Sequence, residues 1–395
     1  MSRLEELIEE LCPNGVEYKT LGEVIQLLNG KAYKQEELLT EGKYRVLRVG
    51  NFFTNDFWYF SDLELSDDKY CNNGDLLYSW AASLGPHIWN DGKTIFHYHI
   101  WKLVFDENVL DKGFLYHFLD MDVDSIEKSL TKSTMPHVSM ASMKKRTIPI
   151  PHIEVQREIV RILDNFIELT AELTAELTAR KKQYEYYRDE MLKFDGKVKK
   201  MKLGDFATIS RGGNFQKKDF CENGVPCIHY GQIYTRYGLY AKNTMTEITR
   251  EAAEKSKFAT KNDVIMAVTS ENIEDVCKCV AWLGDEDIAV SGHTAIIHHD
   301  QNPKYLVYYF HTMMFFNQKR KLAHGTKVIE VTPSKLADIE IPIPSLVEQN
   351  RIADILDRFD SLCNDISEGI PAEIEARQKQ YKYYRDNLLS FKELT

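Results

Sequence analysis

The sequence lacks most of the signatures that would mark an enzyme. Its 395 residues contain no G-x-G-x-x-G, no G-x-x-x-x-G-K-[ST], no H-E-x-x-H and no G-x-S-x-G. Nothing in it therefore matches a dinucleotide cradle, a phosphate-binding loop, a helical zinc pair or a nucleophile elbow. The stretch Asn302 to Tyr305, "NPKY", superficially resembles the N-P-P-Y element of adenine methyltransferases. It has one Pro where that element has two, and no glycine-rich cofactor loop precedes it, so it reads as a turn. The seven cysteines are odd in number and none form a C-x-x-C; Cys277 and Cys279 make only a C-x-C in a strand-like context. Buried reduced thiols are expected, without a disulfide or metal framework. The histidine pairs His97/His99 and His298/His299 have no supporting ligand cluster and read as polar surface or satisfied core groups. No apolar run reaches membrane-spanning length. The longest candidate, Tyr305 to Phe316, carries a His and reads as a buried helix. The start, "MSRLEELIEELCPNG", is an amphipathic Glu-rich helix without the basic opening and apolar middle of a signal peptide, so a cytoplasmic location is expected.

Positive charge is also in deficit. Lys and Arg number 50 against 60 Asp and Glu, for a net charge of −10. Taken whole, that balance argues against a nucleic-acid binder. The distribution says otherwise. The acidic excess sits in the N-terminal helix, two long helical segments and loops such as "SDLELSDD". Cations gather in four places: "NGKAYK" from Asn29, "SLTKSTMPHVSMASMKKR" from Ser129, "RGGNFQKK" from Arg211 and "NQKRKLAHGTK" from Asn317.

What the chain does have is a long internal duplication. "ARKKQYEYYRDEMLKF" at Ala179 returns as "ARQKQYKYYRDNLLSF" at Ala376, with 11 of 16 positions identical, where average composition would match about one. Upstream, "IPIPHIEVQREIVRILDNF" (Ile148 to Phe166) returns as "IPIPSLVEQNRIADILDRF" (Ile341 to Phe359). The second copy carries four extra residues between the two blocks. Both segments place apolar residues three and four apart over many turns, which predicts two long helices with one apolar seam each. Ile159, Leu163, Phe166, Leu173, Leu177 and Tyr184 line the first seam. Ile352, Leu356, Phe359, Ile366, Ile374 and Tyr381 line the second. Such helices need a partner, and the simplest is the other copy, in a coiled coil. In the first, "LTAELTAELTAR" iterates a tetrapeptide from Leu169. In the second, Gly369 and Pro371 predict a kink or a split.

Before each helix lies a region of roughly 150 residues with short β-branched and aromatic runs broken by Gly, Asn and Asp, ending in IPIP. The predicted fold is mixed α+β: two similar domains, residues 1–152 and 196–345, and two long helices, 153–195 and 346–392. The basic Gly-rich turns recur at matching places in both domains, as a DNA-facing surface would require: cations neutralise phosphates, while amides, hydroxyls and imidazoles read base edges. The candidates are Lys31, Tyr33, Lys34, Lys132, Ser133, Thr134 and His137 in the first domain, and Arg211, Asn214, Gln216, Lys217, His324, Thr326 and Lys327 in the second. A scaffold holding two ligand-binding modules that never touch nucleic acid is the competing reading.

At these residues the chain resembles a known family. The opening "LEELIEELCPNGVEYKTLGEV", the "IPIP…Q…I..ILD.F" helix entry, the TAEL repeats and "ARxKQYxYYRDxLLxF" are similar to the DNA-specificity subunit of type I restriction–modification systems, over essentially the whole length. The TAEL run resembles the subgroup in which repeat number sets target spacing. The resemblance implies two target recognition domains that read the halves of a split double-stranded DNA sequence, held apart by an antiparallel coiled coil of the two helices in a pseudo-twofold arrangement. It implies a subunit without catalytic residues, metal or cofactor of its own. Two modification subunits, which methylate adenine from S-adenosylmethionine, and restriction subunits, which use ATP and Mg, would be its partners.

Overall fold

The structure, a computed structural model, describes residues 2–53, 55–129, 136–196, 198–364 and 369–394. The chain divides into two compact units: residues 1–173 with 374–395, and residues 174–373.

The first unit opens with the expected helix, Arg3–Leu11. Ser2 and Glu5 cap each other reciprocally, Ser2 Oγ accepting from Glu5 N and Glu5 Oε2 from Ser2 N. Leu4, Leu7, Ile8 and Leu11 pack into the core. Two four-stranded sheets follow. One has the spatial order Ile25–Asn29, Ile100–Phe105, Leu76–Ser79, Gly85–Ile88, antiparallel throughout. In Ile25–Asn29 the side chains alternate between core and solvent, whereas Leu76–Ser79, in the interior of the sheet, is buried on both faces. The other sheet has the order Tyr59–Ser61, Tyr44–Leu47, Thr94–Phe96, Tyr70–Cys71, and its central pair is parallel.

The second unit repeats this plan. Its first sheet runs Ala207–Arg211, Thr294–His299, Val264–Ala267, Cys279–Trp282, with Tyr240–Ala241 added at the edge. Its second runs Phe220–Cys221, Thr246–Ile248, Val225–Ile228, Ile288–Val290, Lys257–Ala259, and the corresponding pair, Val225–Ile228 with Ile288–Val290, is again parallel. The apolar run from Tyr305 forms two helices instead of one. Pro303–Phe310 is almost wholly buried, and Thr312 then caps a new helix, Met313–Leu322, by accepting from Phe315 N. Five cysteines are buried, and Cys12 and Cys221 are half-buried. Among the described residues no helix is long and apolar enough to cross a membrane.

The first long helix, Ile153–Met191, begins in one unit and ends in the other. The chain returns through Leu346–Asn364 and Ile370–Leu388, separate helices on either side of the predicted break, with Pro371 in the first turn of the second. The repeated motifs are the joints by which these helices dock. The buried Gln156 amide accepts from Asp111 N (2.8 Å) and donates to Val109 O and Pro151 O. Gln349 does the same with Asn302 N and Pro344 O. Asp164 pairs with His117 Nε2 (2.9 Å), while Asp357 accepts from Tyr308 OH (2.5 Å) at the matching place. Ile159 and Leu163 are fully buried in the first unit's core, and Ile352 and Leu356 equally so in the second's. Tyr381 joins the first core, where its OH meets His117 Nδ1 at 3.0 Å. Tyr184 joins the second. Phe166 stacks on Tyr384 within the first unit, and Phe359 on Tyr187 within the second. Leu173, Leu177 and Ile374 are half-buried, and Ile366 lies outside the described residues.

Candidate nucleic-acid interface

In each unit, the same three pieces of backbone converge beyond the ends of the central strands. The first is the Gly-rich loop. Lys31 N donates to Phe96 O (2.9 Å), and Gly213 N donates to Val290 O (2.7 Å). Close approach requires glycine here. A Cβ on Gly30 would lie 2.3 Å from Phe96 O, and one on Gly212 would lie 2.1 Å from Ser291 O.

The second piece is a tight turn between strands that the loop leans on: His97-Tyr98-His99 in the first unit and Ser291-Gly292-His293 in the second. The equivalence is one of register. Lys31 bridges His97 as Gly213 bridges Ser291. Trp80 N donates to His99 O as Val268 N donates to His293 O, both at 3.0 Å. The third piece crosses the strand end that follows. Ala81 pairs with His137, and Thr269 with Glu330. In the second unit this piece is a hairpin closed by mutual backbone bonds between His324 and Glu330, with Gly325 at φ +108°.

The candidates from the sequence fall on these pieces unevenly. Lys31 is partly covered, with Nζ 3.2 Å from Glu37. Tyr33 stacks on His97 with ring centroids 6.5 Å apart, and its hydroxyl is buried without a hydrogen-bond partner. Burial pushes that phenol's pKa far upward. Lys34 is exposed beside Glu36. His137 is exposed; Lys132, Ser133 and Thr134 lie outside the described residues. In the second unit Asn214, Gln216, Lys217, His324, Thr326 and Lys327 are all exposed. Arg211 is also exposed, and it donates to Gly292 O and to Glu330. Lys217 borders a cleft of about 500 Å³ that also takes in Phe220, His229, Gln232, Arg236 and Thr246.

The residues that sequence reasoning missed are those around the turn. Trp80 lies edge-on to His99 at 4.9 Å, and Tyr98 lies 4.0 Å from His99. In the second unit Tyr230 packs on His293 at 4.9 Å, and Thr269 Oγ1 is 3.2 Å from His293 Nδ1. Burial pulls the His97 imidazole down to about 4, and burial followed by the Arg48 charge lowers His99. Both are neutral near pH 7; His99 can then offer a donor and an acceptor without a positive charge, whereas His97 Nδ1 already accepts from His99 N at 3.3 Å. That suits base edges better than phosphates. The pairs first noted as conceivable metal ligands have other partners. His298 Nδ1 meets Asp263 at 2.7 Å, and the half-buried His299 accepts from Gln301 N through Nδ1 at 3.2 Å. Among the described residues no group of three or more His, Cys, Asp or Glu could hold a metal ion.

Comparison with known proteins agrees with this organisation. The type I restriction modification DNA specificity domain matches the chain twice, over residues 13–180 and 196–376. The chain is 38% identical over 270 residues to the type I restriction enzyme EcoR124I/EcoR124II specificity subunit of Escherichia coli, covering 64% of this chain and 65% of that one. It is 30% identical to a Haemophilus influenzae protein named as a type I restriction enzyme specificity subunit, over 98% of both chains. A solved structure described under complex assembly and conformational transition of the type I R-M system shares the fold, with a TM-score of 0.66 at 16% identity, over 95% of this chain and 98% of that one. The S subunit of a type I system from M. genitalium aligns with a TM-score of 0.50 at 14% identity, over 95% of this chain and 96% of its own. The chain belongs to the type I restriction–modification DNA specificity family.

Proposed function

We propose that the chain reads an asymmetric, two-part double-stranded DNA target, one half with each unit, for a type I restriction–modification complex. The observation that carries this reading is the pair of frames: the same strands, glycine contacts and turn register in both units, with different side chains at matching positions. His97 and Tyr98 in one stand where Ser291 and Gly292 stand in the other. A shared frame suits a duplex, whose grooves repeat, and unlike tips suit unlike half-sequences.

The long helices set the distance between the halves in this proposal. The first is one unbroken helix of 39 residues, roughly 58 Å long. Paired antiparallel with the returning segments, it acts as a ruler whose graduations are the TAEL units. The chain itself contributes recognition and no chemistry. It works in the cytoplasm, where two modification subunits supply methylation from S-adenosylmethionine and restriction subunits supply ATP- and Mg-dependent cleavage. The acidic helix surfaces support binding of such protein partners.

Mapping methylated adenines in cells with and without this chain tests the reading directly. A two-part motif should vanish when the chain is removed. Deleting one TAEL unit shortens the helix by roughly 6 Å and should change the spacer by one or two base pairs while both half-sequences stay the same. A changed half-sequence refutes the ruler.

A further inference from the structure

In the second unit one guanidinium joins two of the three converging pieces. Arg211 Nε donates to the Gly292 carbonyl at 2.8 Å, and its Nη2 donates to the Glu330 carboxylate at 3.0 Å. Gly292 belongs to the turn that presents His293. Glu330 closes the hairpin whose tip carries Thr326, Lys327 and the exposed Val328. The rigid planar fork of an arginine therefore spans from turn to hairpin, with Nε and Nη2 committed to one acceptor on each. Among the described residues, the first unit places no arginine at the matching register. There, Asn29 ends the edge strand as Arg211 does. Its side-chain oxygen accepts from Trp101 Nε1 at 2.9 Å. His137 stands where Glu330 does.

We propose that Arg211 is a positioning residue of the second reader, fixing the hairpin against the His293 turn, and that it does not neutralise a phosphate. This rests on the DNA reading above. A partly exposed ion pair contributes little to folding, so the consequence is directional. The pair sets the angle at which hairpin and turn meet the duplex, and recognition fails when contacting groups shift by a fraction of an ångström to an ångström.

The test uses the full-length chain assembled with its native partner subunits, a randomised duplex library, and binding measured across a salt series. Positioning predicts that Arg211→Ala and Glu330→Ala each relax selection in the second half of the target, by about fivefold or more at one or more base pairs. Selection in the first half stays as in the wild type, which also reports a folded chain. Arg211→Lys behaves like Arg211→Ala, because an ammonium cannot bond both acceptors in that geometry. The salt slope changes by less than one. A phosphate contact predicts the opposite set: Arg211→Ala lowers the slope by about one with an unchanged sequence, Arg211→Lys retains binding, and Glu330→Ala leaves the selected sequence alone. That set overturns the proposal. A wild-type complex that selects no sequence at all overturns the DNA reading itself, and the positioning role with it.

Discussion

The two units differ where they face outward and agree where they are built. The four strands that each pair of sheets shares have the same order, and their glycine loops press on the same carbonyl positions. Their helix joints use Gln156 and Gln349, Asp164 and Asp357, in the same way. Their tips share little: a His-Tyr-His turn crowded by Trp80 in one, a Ser-Gly-His turn beside Tyr230 in the other. The lesson is a division of labour. Packing and backbone hydrogen bonds hold the same frame in both units with different core side chains, and the outward side chains at its tips differ as well.

The comparison can be broken most forcefully at the glycines. Gly30→Ala and Gly212→Ala each drive a Cβ into a backbone carbonyl that cannot swing aside. We expect each to cost about 3 kcal/mol or more in chemical denaturation, and to cost similar amounts in the two units. If one is tolerated and the other is not, the frames are less alike than their register indicates.

Next in size are changes to the turn. His293→Ala should weaken discrimination at one base pair of the second half-target by about 1–3 kcal/mol and leave the first half untouched. His99→Ala should do the reverse. Library selection distinguishes the two cases, and a variant that shifts both halves contradicts independent readers.

These turns also mark the limit of what the sequence discloses. The helix motifs were legible because each block repeats its own spacing, and the structure gives Gln156 and Gln349, Asp164 and Asp357, and Tyr184 and Tyr381 docking contacts. The turns were not legible. "HYH" and "SGH" share one residue, and their equivalence is a matter of which carbonyl each loop rests on. The carboxylates beside the loop cations were not legible for a related reason. Lys31, Lys34 and Arg211 look available in a Gly-rich loop, yet Glu37, Glu36 and Glu330 stand against them. The last of these partners lies 119 residues along the chain, beyond the reach of any pattern argument.

A smaller effect separates the helix joints. At the first, His117 is buried between Asp164 and Tyr381, with Asp120 bonded to Arg385 beside it. At the second, Tyr308 occupies the same place. Burial holds the His117 imidazole below its ordinary value against the raising pull of Asp164. As pH falls through that ordinary value, near 6.5, the unfolded chain takes up the proton first. The contribution of the neutral, buried ring is therefore intact above that pH and is lost below it. His117→Tyr, which copies the second joint into the first, should gain stability relative to wild type between pH 7 and pH 5, by at most about 1.4 kcal/mol per pH unit. A constant difference across that range would mean that the imidazole stays in one protonation state.

The smallest effects belong to the exposed lysines, and they sharpen the distinction between frame and surface. Lys34 stands 3.9 Å from Glu36 in the first unit, while Lys327 is exposed near the hairpin tip of the second. Neither supports the core, so Lys34→Ala and Lys327→Ala should each change stability by less than about 0.5 kcal/mol. Their effects on DNA should differ. A cation already facing a carboxylate releases fewer counterions when it meets a phosphate, because the acid must be displaced or left uncompensated. Lys327→Ala should therefore lower the slope of log affinity against log salt by about one, with the selected sequence unchanged, and Lys34→Ala should lower it by clearly less. Equal slopes for the two variants would show that Glu36 gives way on binding. The pairing seen in the first unit would then belong to the free protein alone.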